Sequence, residues 1–203
     1  MFYYYFVLLY IYTVSFLGAQ PNLSNWPMDQ LKIANTAINE DYLTKEEKNI
    51  FFILNLARIN PELFYEMILQ SYQVPEGFSD DCLTKNKYIA SLSRELQNMN
   101  PINLLYPKRE LWEYAQCHAI HSGETGFVGH ERVTCLKPDF YSECCSYGFK
   151  NAIDIVIQLL IDYQVRDLGH RKIMLNPKQK FLGTSIQPHT KYRYNAVLDF
   201  SKQ

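Results

Sequence analysis

No charged side chain precedes Asp29 in this chain, and downstream of that opening no apolar run is long enough to cross a bilayer. A basic excess is missing too. With 20 Lys and Arg against 21 Asp and Glu the net charge is −1, so no field draws the chain onto nucleic acid or anionic membranes. There is no G-x-S-x-G elbow and no Gly-rich phosphate loop, which leaves serine-elbow hydrolases and nucleotide binding without support. None of the five cysteines has the C-x-x-C spacing of zinc sites or thioredoxin-like motifs, and none is marked as an activated thiolate. Repeats and low-complexity linkers are likewise absent. Histidine is scarce enough, at five, for each to be weighed singly.

What is present first is the opening itself, "MFYYYFVLLYIYTVSFLGA", apolar throughout and ending on Gly18 and Ala19. It reads as a secretory signal peptide over residues 1–19, without the usual basic start; an uncleaved N-terminal anchor is the competing reading. Export permits disulfides, and an odd set of cysteines (Cys82, Cys117, Cys135, Cys144, Cys145) leaves at least one thiol over within the chain. Cys135 with Cys144 or Cys145 is the expected pairing. Asn22-Leu23-Ser24 is a glycosylation triplet. The composition, 47% hydrophobic and 20% charged, is that of a globular chain, and 203 residues suffice for one domain. Residues 20–43 read as a leader and 44–203 as that domain.

Thr44 and Glu47 form a capping box that opens a helix with Ile50, Phe51, Ile53, Leu54 and Ala57 on its apolar face. Asn60-Pro61 ends it and starts another, from Glu62 to about Gln70. Residues 71–87 read as a loop. A helix through Leu92 and Leu96 stops near Asn100-Pro101, and another is expected from Lys108 to Ser122, with Leu111, Ala115 and Ala119 four apart. A Gly-rich loop then carries His130. An apolar helix runs from Ala152 to about Asp162, and two strands, Phe181–Gln187 and Tyr192–Phe200, close the chain. Helices first and strands last predict an α+β domain, with helices on both faces of a small sheet.

Taken singly, the polar candidates are modest. His118 and His121, three apart on a predicted helix, read as surface residues, and His189 as a turn residue. His130 in "GFVGHERV" lies in a loop that presents side chains, and His170 in "RDLGHRKIML" at a helix start. Glu143 and Asp162 flank apolar stretches.

In order, the segments "NLARINPELF", "ELWEYAQCHA", "GFVGH", "SECCSYG", "LLID" and "GHRKIML" resemble the CAP superfamily. These are the cysteine-rich secretory, antigen and pathogenesis-related (SCP-like) proteins with their bacterial relatives. The resemblance, in a bacterial-type secreted form, runs from about Glu46 to Phe200. It implies a three-layer α-β-α sandwich with a cleft holding two His and two acids, which fall here on His130, Glu143, Asp162 and His170. Asp162 stands where many members have Glu, and Cys144 where the family usually has Asn. Two imidazoles beside two carboxylates suit a divalent ion such as Zn²⁺, with occupancy falling as the imidazoles protonate. The resemblance implies a secreted or periplasmic binding protein for a lipid, sterol, glycan or protein ligand, with no nucleic-acid partner and no membrane span after signal cleavage. The alternative is a metal-dependent hydrolase using Glu143 as general base.

Overall fold

The structure is a computed structural model in which residues 23–79, 83, 86–137, 139 and 141–203 are described. The expected signal segment, the Asn22 glycosylation position and Cys82 lie outside the described residues.

The capping box forms as its residues require. Glu47 N–H donates to Thr44 Oγ1 at 3.3 Å, and Thr44 N–H to Glu47 Oε2 at 2.8 Å, opening helix α2 (Lys45–Ile59). The other oxygen of Glu47 accepts Ile186 N–H at 2.9 Å, so the cap also ties the helix to the sheet. Asn60 ends α2 and caps α3 (Pro61–Phe64), accepting Leu63 N–H at 3.3 Å; α3 widens into a π-helical turn, Tyr65–Leu69. Helix α4 (Lys87–Asn98) is capped by Asn86 and buries Leu92 and Leu96. Helix α5 (Arg109–Thr125) runs one turn past its expected end, to Gly126 at φ 69°. Helices α6 (Ala152–Ile161) and α7 (Gly169–Met174) follow.

A helix also forms within the stretch read as a leader. Helix α1 (Met28–Ala34) packs on α2, and Trp26, Ala34, Ala37 and Leu43 join the main core. Asn55, fully buried in α2, holds this segment: its Nδ2 donates to Ala34 O at 3.0 Å and Leu105 O at 3.1 Å, and its Oδ1 accepts Leu105 N–H at 2.8 Å.

Four strands form one mixed sheet in the order β1-β3-β4-β2. They are β1 (Tyr106–Pro107), β2 (Tyr141–Tyr147), β3 (Phe181–His189) and β4 (Arg193–Ser201). Strands β1 and β3 are parallel; the other neighbours are antiparallel. The expected α+β class holds, with helices on both sheet faces: α5 covers β3 and β4 on one side, α2 meets β3, and α6 and α7 meet β2. Strand alternation divides the vicinal cysteines accordingly. Cys144 enters the large core with Leu198 and Phe200, while Cys145 joins Ala115, Ala119 and Val197 beneath α5.

Two glycines set the close approach of α5 to β3. A Cβ on Gly183 would lie 2.1 Å from Leu111 C and Trp112 N, and one on Gly123 would lie 2.1 Å from Pro188 O. Backbone therefore meets backbone at both ends of α5, which fixes the depth of the residue between them, His118.

Candidate metal-binding cleft

Helix α5 presents Leu111, Ala115, His118, Ala119 and Ser122 as one buried stripe at helical spacing. His118 is thus fully buried, not a surface residue as its sequence setting suggested. Its Nε2 lies 3.1 Å from Gly129 O, and because a carbonyl only accepts, Nε2 carries the proton. Its Nδ1 is buried without a partner among the described residues. Burial pushes its pKa down, against the pull of Glu143.

The segment after α5 carries His130 and Arg132, and a disulfide between Cys117 and Cys135 staples it to the helix. Cys135 therefore pairs with Cys117, and the expected bridge to Cys144 or Cys145 does not form. Both of those thiols are free and buried. Cys144 points to the opposite sheet face, and Cys145 Sγ lies against Gly129 O at 3.8 Å and His130 Nδ1 at 3.7 Å. Burial and nearby carboxylates raise both thiol pKa values well above the ordinary range.

Glu143, on β2, is the hub. Its Oε1 accepts from His130 Nδ1 at 2.8 Å, its Oε2 accepts from Arg132 Nη2, and His118 Nε2 is 4.0 Å away. The same Arg132 nitrogen reaches both oxygens of Asp199 on β4, at 2.9 and 2.7 Å, and Nη1 donates to Tyr114 O at 2.7 Å. Arg132 is a side chain only 1% exposed, and its single positive charge bridges two buried carboxylates from within. Burial alone would raise Glu143; His130 and Arg132 outweigh it and hold the carboxyl below its usual value. Asp199 goes the other way, since burial wins there over Arg132. The hydrogen bond to Glu143 in turn raises the pKa of His130 against the effect of burial.

A second pair stands opposite. Asp162 sits in the left-handed conformation (φ 58°) just past α6, which turns its carboxylate toward the start of α7. Oδ1 accepts from His170 Nδ1 at 2.7 Å; Oδ2 accepts the backbone N–H of His170 at 2.9 Å and of Arg171 at 3.3 Å. Arg171, buried, bonds the last α6 carbonyls, Leu160 O at 2.6 Å and Ile161 O at 2.8 Å, and so locks α7 against α6.

The four expected residues thus form two His–carboxylate pairs, and the imidazole centroids of His130 and His170 are 6.1 Å apart. They reach each other around the outer edge of β2, since Glu143 shares the α5 face with Cys145 while α6 and α7 lie on the other. In each pair Nδ1 faces a carboxylate, which can only accept when ionised, so Nδ1 bears the proton and Nε2 keeps its lone pair. A carboxylate behind Nδ1 is the usual outer-shell support of a metal-binding imidazole.

A second set of potential ligands lies deeper. His118, Glu143 and Cys145 each bring one ligand atom within 4.8 Å of the others, and this buried group could hold a metal ion. Binding there asks Cys145 to give up a proton that burial holds on it, and Glu143 to be shared with Arg132. Arg132 and Asp199 carry no signal in the sequence, and His118 is the residue whose surface reading the structure overturns. The apolar stripe of α5 contains the signal for His118, because Ala115, His118, Ala119 and Ser122 share one helical face.

Beside His170 opens a cavity of about 330 Å³, walled by Phe78, Phe149, Leu159, Tyr163, Cys145 and His170 among others. No helix among the described residues is long and apolar enough to cross a membrane. Comparison of the chain with protein families, curated proteins and solved structures finds no match.

Proposed function

We propose that the chain is a secreted ligand-binding protein of the CAP (SCP-like) type whose cleft holds a divalent metal, Zn²⁺ being the best fit, through Nε2 of His130 and His170. The carrying observation is the two imidazoles, each tied at Nδ1 to a buried carboxylate, with ring centroids 6.1 Å apart. Glu143 and Asp162 act behind them: they fix tautomer and ring orientation and raise the basicity of the ligating nitrogens. Bound there, zinc would supply Lewis acidity and open coordination positions. Neutral imidazoles are ligands of borderline softness, which favours zinc over calcium or magnesium.

The arrangement of helices on both sheet faces accords with the sandwich that the family resemblance implies. The Cys117–Cys135 disulfide accords with an oxidising compartment. Binding is favoured over hydrolysis because both oxygens of Glu143 are already engaged and its pKa is held low, which suits a fixed counter-charge better than a general base.

The test is zinc titration by calorimetry on the mature protein. One zinc per chain is expected, lost in His130→Ala and His170→Ala and weakened about 10–100-fold in Glu143→Gln. Unchanged affinity in either histidine variant would overturn the assignment.

A further inference from the structure

We infer that the cavity beside His170 takes a small carboxylic acid, its apolar body in the cavity and its carboxylate directed at the metal between His130 and His170. This rests on the metal-binding reading above and adds the ligand's chemical class. An apolar cavity of about 150 Å³ holds one benzene, so 330 Å³ suits a body of about two fused rings. Phe78 and Phe149 stack at 4.1 Å between centroids and, with Leu159 and Tyr163, line the cavity with largely apolar surface.

The polar groups in the wall are mostly spent. Both oxygens of Asp162 accept hydrogen bonds from the start of α7. Gln158 accepts from Ser146 Oγ and donates to Tyr147 O at 3.3 Å. The Cys145 thiol lies against Gly129 O. Among the described residues Nε2 of His170 makes no hydrogen bond, and His130 faces it across the β2 edge. A ligand with several polar groups would strand most of them against apolar wall. One with a single polar head at the histidine end strands none.

The head follows from the tautomer. With Nδ1–H given to Asp162, His170 presents Nε2 as its metal-ligating nitrogen, and a lone pair there cannot receive a carboxylate by itself. A divalent ion on that lone pair reverses the preference, since an oxygen anion then completes its shell. Carboxylate binding is therefore metal-dependent, and an alcohol with the same body gains much less from the metal.

The experiment has two stages on the mature protein. Zinc is titrated first. Naphthylacetate and the matching naphthylethanol are then titrated into zinc-loaded and chelator-treated protein. Naphthylacetate is expected to bind the zinc form at least about tenfold more tightly than either the zinc-free form or the alcohol binds. Val165→Trp, which narrows the cavity from a half-buried position, is expected to weaken the acid about tenfold and leave zinc affinity unchanged. Cobalt substitution adds a readout independent of that variant: the naphthyl protons should broaden in proportion to occupancy. Stoichiometric zinc binding with no acid binding, or acid binding indifferent to zinc, overturns this inference and leaves the metal site standing. No zinc binding at all overturns both.

Discussion

Replacing Arg132 with Met should be among the most costly single changes in the cleft. The guanidinium lies 2.7 and 2.9 Å from the two oxygens of Asp199 and is bonded to Glu143, with side chains 1%, 0% and 4% exposed. Removing it strands two carboxylates in a buried site. Breaking a buried pair in this way costs about 3–5 kcal/mol, more than the pair itself contributes, because the partner's desolvation is left uncompensated. At roughly 2–4 °C per kcal/mol for a domain of this size, the melting temperature should fall on the order of 10 °C. The deficit should shrink on acidification, because the stranded carboxyls, with pKa values raised by burial, take up protons and shed the charge. The double variant Arg132→Met/Asp199→Asn should recover part of the loss, since one stranded charge is gone. Denaturant unfolding from about pH 5 to pH 8 measures all three effects. A loss under about 1 kcal/mol, or no recovery in the double variant, would refute the claim that Arg132 holds the two carboxylates together.

Three further outcomes are expected. Gly183→Ala should destabilise by about 3 kcal/mol or more, because its Cβ would meet backbone atoms of Leu111 and Trp112 that move only if α5 lifts off β3; an unchanged melting temperature would contradict that seating. A non-reducing digest should yield a Cys117–Cys135 peptide, with Cys144 and Cys145 inert to maleimide until denaturation, and loss of the bridge should cost about 3 kcal/mol; a peptide joining Cys135 to Cys144 or Cys145 would overturn the pairing. The zinc-induced gain in melting temperature should grow as pH rises, and zinc should begin to lose to protons above the ordinary imidazole value of 6.5, because Glu143 raises His130. The zinc-free protein should show the opposite sign for this group: the stability from its raised pKa is present below 6.5 and lost as pH climbs through the folded value.

Local chemistry was legible in the sequence where a short pattern specifies its own partner. Thr44 and Glu47 announced α2, Asn60-Pro61 the junction to α3, and the apolar run after Ala152 a buried helix. Long-range pairing was not. The strand β2 reads poorly because "SECCSY" is buried on both faces and lacks the polar alternation of a half-exposed strand. Helix α1 is only seven residues long, and the residues that hold it, Asn55 among them, lie on another helix. The role of Arg132 has no local signal, because nothing near it in sequence reveals Glu143 and Asp199, which are 11 and 67 residues away. The partner of Cys135 was misjudged for a related reason. Sequence proximity favoured Cys144 and Cys145, but strand alternation sends one thiol to each sheet face, while Cys117 faces the loop.

The most direct test of the central claim is the nitrogen NMR spectrum of the histidine side chains during zinc titration. Nε2 of His130 and His170 should shift together at one equivalent, while their Nδ1 atoms keep the protons that bond Glu143 and Asp162. Shifts confined to His118, with ionisation of the Cys145 thiol, would place the metal in the deeper His118–Glu143–Cys145 group and contradict the account.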